Sequence, residues 1–164
     1  MTQRNLIQRG LAKASGITSA LQFAAPLLTR LLVGITFFYT GQGKLQNLDR
    51  TATFFADLGI PFAAANALFT SSLEFIGGIC LMLGLGTRIF SLLLSSTMIV
   101  ALLTADKANF IAKFPAELTD VSPVVLLTLL VWLLLYGPGR LSIDRLLARR
   151  LNLAKRFGLE RAAA

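Results

Sequence analysis

An all-α integral membrane protein, built as a four-transmembrane-helix bundle with amphipathic interfacial helices at both termini, is the fold class this sequence predicts. Three observations carry it: composition, the spacing of charge, and the placement of helix breakers. Of the 164 residues, 55% are hydrophobic and only 15% charged, with a mean hydropathy of +0.70. Soluble domains carry about 25% charged residues, so lipid suits this chain better than water. Charge is also confined. Between Lys13 and Lys44 lie 30 residues with Arg30 as the only charge, and between Asp57 and Arg88 another 30 with Glu74 alone. Ile89 to Ala105 is uncharged for 17 residues, and Val121 to Gly139 for 19.

A spanning helix needs about 20 predominantly apolar residues. The runs predict helices near 23–44, 62–84, 88–105 and 120–137, within one domain covering 1–164. Gly59-Ile60-Pro61 breaks the chain before the second, with Pro61 suited to a first turn. Gly84-Leu85-Gly86 is too short to do more than reverse the chain into the third. Pro115 interrupts a polar loop before the fourth, Pro123 sits in that helix's first turn, and Gly137-Pro138-Gly139 ends it.

Basic residues set the expected orientation. Arg4, Arg9 and Lys13 precede the first run, Arg88 marks the short turn between the second and third, and seven of the sixteen Lys and Arg follow the fourth. The other two connectors mix Arg50, Lys107 and Lys113 with Asp49, Asp57, Asp106, Glu117 and Asp120. The positive-inside rule places both termini and the turn between the second and third helices in the cytoplasm. Residues 4–21 and 140–158 alternate apolar and basic positions at helical spacing and read as interfacial helices. In the second, Ser142 can cap the helix and Asp144 favours its positive end. Thr51 to Leu58 reads as a third, on the outer side.

The net charge of +8 is that of a membrane protein meeting anionic headgroups, not of a nucleic-acid binder. Cys80 is the only cysteine and the chain has no histidine. A Cys-x-x-Cys redox pair is therefore excluded, and this chain is not expected to ligate haem or another metal by itself. Electron transfer would call on a bound organic cofactor or on a partner's centre.

Glu74 is the most informative position. It lies about twelve residues, roughly 18 Å, into the second helix. A charge at the membrane centre costs about 2.5–3.5 kcal/mol, so it should face the bundle and find a partner. Ser71, Gly77, Gly78 and Leu81 share its face. Arg30 is one candidate partner. Gly34, Phe37, Gly41 and Lys44 follow Arg30 on one face of the first helix, which makes Lys44 another. Tyr39 and Gln42 are candidates for a polar pocket in the outer half, or for satisfying one another. The bland alternatives are a structural ion pair for Glu74, packing roles for Gly34, Gly41, Gly77 and Gly78, an anchor for Lys44, and a topology signal for Arg88.

Taken in order, the segments resemble the DoxX family of small bacterial membrane proteins. The pieces are Arg30 before Gly41-Gln42-Gly43-Lys44-Leu45, Phe54-Phe55 with Gly59-Ile60-Pro61, and Glu74-Phe75-Ile76-Gly77-Gly78. Leu83-Gly84-Leu85-Gly86-Thr87-Arg88 and Gly137-Pro138-Gly139-Arg140-Leu141-Ser142-Ile143-Asp144 complete the set. The resemblance implies a four-helix bundle and redox biology: relatives are linked to membrane oxidoreductase complexes, including thiosulfate:quinone oxidoreductase subunits, and to oxidative-stress responses.

Three functions are then in competition. The first is a quinone- or lipid-binding membrane subunit with a soluble or membrane oxidoreductase partner. The second is a non-enzymatic scaffold or assembly factor docking a partner through its basic ends, alone or as a homo-oligomer. The third is a small proton-coupled transporter, against which a fixed countercharge beside Glu74 argues, because it disfavours the protonated acid.

Overall fold

A computed structural model describes residues 24–139 and 141–150. The expected interfacial helix over 4–21 and the part of 140–158 beyond Arg150 lie outside the described residues. Those described are helical throughout, with no strand among them. In chain order the helices are α1 Ala24–Gln46, α2 Leu48–Asp57, α3 Ala63–Leu83, α4 Thr87–Leu103, α5 Lys107–Lys113, α6 Ser122–Tyr136 and α7 Ile143–Arg150. A 3-10 turn, Leu118–Asp120, precedes α6.

The helices occupy the four apolar runs, but they are unequal. Among the described residues, only α1 and α3 are long and apolar enough to cross a membrane alone. The 17 residues of α4 give about 26 Å of helix, and the 15 of α6 about 22 Å, against a hydrocarbon core of about 30 Å. After α4 the chain bends by 78° into α5, and the two pass as one broken span. Length and composition thus give two or three crossings where four were expected. The stretch read as a polar loop around Pro115 instead holds α5 and the 3-10 turn.

Packing pairs the helices. α1 lies along α3, α4 packs chiefly on α6, and the two pairs meet less extensively. Glycine sets the α1–α3 distance. A Cβ on Gly41 would come within 2.8 Å of Phe75 Cα, and one on Gly78 within 2.7 Å of the Gly34 carbonyl. Neither backbone can yield, so the helices close only because no side chain stands between them. Gly77 faces α4, where the nearest atoms belong to the Leu94 side chain. The apolar core is Val33, Phe37, Leu81, Leu94, Leu130 and Leu133, with Met98 at its edge.

At the end of the bundle where α3 turns into α4, glycine again decides the geometry. Gly84 and Gly86 adopt φ of +69° and +57°, a left-handed conformation that side chains resist. The Arg30 guanidinium packs directly on Gly84, in the space that a Cβ would take. Arg30 is buried and donates to the Leu141 carbonyl. Asp144 completes this latch. Its carboxylate accepts the Gly86 and Thr87 N–H groups at 2.7 and 3.0 Å, and its own N–H donates to the Gly84 carbonyl at 3.0 Å. Asp144 therefore caps α4, a helix 57 residues away in sequence, where the sequence suggested the start of its own. Ser142 does cap its own helix, accepting the Arg145 N–H at 3.2 Å.

A candidate ligand groove around Lys44 and Glu74

The question left open by the sequence, Arg30 or Lys44 for Glu74, has a geometric answer. Glu74 is 1% exposed, and Lys44 Nζ lies 2.6 and 2.7 Å from its two carboxylate oxygens. Side chains on a helix lean toward its N-terminus. Lys44, near the C-terminal end of α1, therefore reaches one turn deeper, to the level where Gly41 abuts Phe75 and the Glu74 carbonyl carbon. Glu74 on antiparallel α3 leans the opposite way, so the two ends converge. Arg30 sits against Gly84, ten residues further along the chain and just past the end of α3, and belongs to the latch.

The pair forms part of the wall of a groove of about 1120 Å³. α1, α3 and α4 contribute polar groups near it, including Tyr39, Thr40, Thr70 and Thr97. α2 and the turn after it supply Phe54, Phe55, Leu58 and Ile60, and α4 supplies Val100 and Ala101. Lys44 retains 34% exposure, whereas Glu74 retains 2%, so the ammonium is the part of the pair a ligand meets first.

The other candidates fall in different places. Tyr39 lines the groove and is two-thirds exposed. Gln42 is half-buried and not among the lining residues. Gly34, Gly41 and Gly78 make the α1–α3 contact, and Gly77 the α3–α4 contact. Arg88 is exposed, with its guanidinium beside Gly137. Cys80 is half-buried on α3. Among the described residues no three of Cys, Asp and Glu come together as a metal-binding cluster. What sequence reasoning missed is the α2–α4 wall. The Phe54-Phe55 pair was its one signal, taken as part of a surface helix and of the family resemblance.

An all-helical protein with spans apolar enough for the bilayer, and with a charged pair buried between two of them, belongs to the membrane-embedded class. Comparison with known proteins narrows this: the family DoxX matches residues 25–107, and the chain belongs to the DoxX family. It is 38% identical over 88 residues to the "Putative oxidoreductase CatD" of Bacillus subtilis (strain 168), covering 53% of this chain and 64% of that protein. It is also 34% identical over 133 residues to the "Uncharacterized membrane protein Rv3486" of Mycobacterium tuberculosis (strain ATCC 25618 / H37Rv), covering 74% of this chain and 80% of the relative. The chain thus spans somewhat less than two thirds of the first relative's length. No solved structure matches it.

Proposed function

We propose that this chain is a quinone-binding membrane subunit of an oxidoreductase assembly, with the quinone ring seated at the Lys44–Glu74 pair. One observation carries the reading: a buried carboxylate and a partly exposed ammonium meet on the wall of a groove otherwise largely apolar. Ligand sites commonly have this composition, with apolar walls and a few convergent polar groups. The Lys44 ammonium can donate to a ring carbonyl, and Glu74 can accept a proton or a hydroxyl hydrogen as the ring changes state. Lys44 offers three hydrogens, so donating to a ring need not break its contact with Glu74. Two electrons from a partner and two protons from water reduce the ring to its hydroxyl form, which donates a hydrogen bond to Glu74; in the reverse direction Glu74 accepts a proton as the electrons return to the partner. The oxidoreductase designation of the Bacillus relative agrees with this reading.

In the same reading α4 and α6 also cross, giving four spans with both ends of the chain on the cytoplasmic side of the inner membrane. The groove then opens in the outer half of the bilayer, and the Arg30–Asp144 latch lies at the cytoplasmic face. The basic residues from Arg145 onward fit that side.

The test is retention. Protein extracted directly into native nanodiscs should carry near-stoichiometric quinone by mass spectrometry, and Glu74→Gln should lose it. Equal quinone in both would overturn the assignment of the site, and none in either would overturn the function.

A further inference from the structure

The groove is larger than a ring needs. Drug-sized ligands occupy pockets of about 300–1,000 Å³, and this groove reaches about 1120 Å³. A quinone ring at Lys44 and Glu74 fills a minor part of it. The rest of the lining includes the apolar Phe54, Phe55, Leu58 and Ile60 and, from α4, Val100 and Ala101. On one flank Tyr39 and Phe69 both line the groove while 66% and 63% exposed. Each lies about 10 Å inside its helix end, at a depth where an exposed side chain faces lipid.

Building on the function proposed above, we infer that the α2–α4 wall binds the prenyl chain of the quinone, and that the ligand enters sideways from the leaflet on the Lys44 side. Charge balance selects the head. The charged residues lining the groove, Lys44 and Arg50 against Glu74 and Asp106, sum to zero, which suits a neutral ring bearing carbonyl or hydroxyl groups. A phospholipid phosphate at the same place would meet the Glu74 carboxylate at close range, a like-charge contact that is costly in a low dielectric. The chain gains little hydrophobic free energy on leaving lipid for protein, since lipid tails are equally apolar. Its binding therefore rests on shape, and the aromatic wall of Phe54 and Phe55 supplies that.

Photo-crosslinking in nanodiscs tests the inference with two probes: a prenylated quinone carrying a photoreactive group on its ring, and one carrying it at the chain end. Ring labelling is expected on the segments around Lys44 and Glu74, and chain-end labelling on Phe54–Ile60 and Val100–Ala101. Ala101→Trp, which fills the chain region, should abolish the chain-end labelling on both segments. Ring labelling at Lys44 and Glu74 with chain-end labelling confined to lipid would overturn the chain site and leave the quinone subunit standing. Chain-end labelling of the two segments that persists undiminished in Ala101→Trp would overturn the chain site. If neither probe labels the groove, both readings fall.

Discussion

Lys44 and Glu74 come from neighbouring antiparallel helices, and one ammonium serves both oxygens of one carboxylate, at 2.6 and 2.7 Å. Ion pairs inside a low-dielectric interior gain little net stability, because desolvation offsets attraction, but breaking one leaves a lone buried charge. Pairs of this kind need not be retained for stability, and a ligand-binding role is the one proposed for this one.

That asymmetry gives the first expectation. Lys44→Met should destabilise the protein toward the lower end of about 3–5 kcal/mol, since Lys44 is itself 34% exposed. Adding Glu74→Leu should restore most of the loss. Unfolding of the single and double variants in mild detergent measures both, and a double variant as unstable as the single would contradict the argument.

Glycine positions should separate by what faces them. Gly41→Ala places its methyl against the backbone of Phe75, whereas Gly77→Ala meets only the Leu94 side chain, at 3.1 Å. Forcing the first is expected to cost about 1–3 kcal/mol. The second should cost less, because a leucine can rotate away. Thermal unfolding of the two variants side by side reads the difference.

Removing the Asp144 carboxylate should loosen the start of α4. Asp144→Ala strips acceptors from the Gly86 and Thr87 N–H groups, for which loss of a cap costs about 1 kcal/mol. Hydrogen exchange at those two amides should accelerate, while exchange in the α1–α3 seam stays slow. Unchanged exchange at Gly86 and Thr87 would mean the cap is not formed in the membrane.

Orientation and span number can be read together. In a Cys80→Ser background, a cysteine at Asn109 on α5 should react with an impermeant reagent from outside the cell. One at Leu85 in the α3–α4 turn should react only after the membrane is opened. Both sites labelling from the same side would rule out α4 as a crossing.

Much of this was legible in the residues. The helix ends fall within a few residues of the apolar runs, because lipid tolerates only helices whose backbone groups are internally satisfied. Glu74 stood out because charge at depth is costly, and Gly34, Gly41 and Gly78 because helices approach closely only over small residues. The choice of Lys44 over Arg30 was not legible. It depends on the α1–α3 register and on both side chains leaning toward their helix N-termini. Asp144 as the cap of α4 was equally hidden, since nothing local links it to Gly86. The α5 helix escaped because its seven residues, two of them lysines, are too few and too polar to register as an apolar run.

The central claim is that Lys44 and Glu74 receive a quinone ring, and its most direct test is the infrared carbonyl band of a ¹³C-carbonyl-labelled quinone bound in nanodiscs. A downshifted component, from a carbonyl accepting the Lys44 ammonium hydrogen, is expected with the wild type. That component should vanish in Lys44→Met and change in Glu74→Gln. A carbonyl band identical to that of quinone free in lipid, or one unaltered by either substitution, would contradict the account.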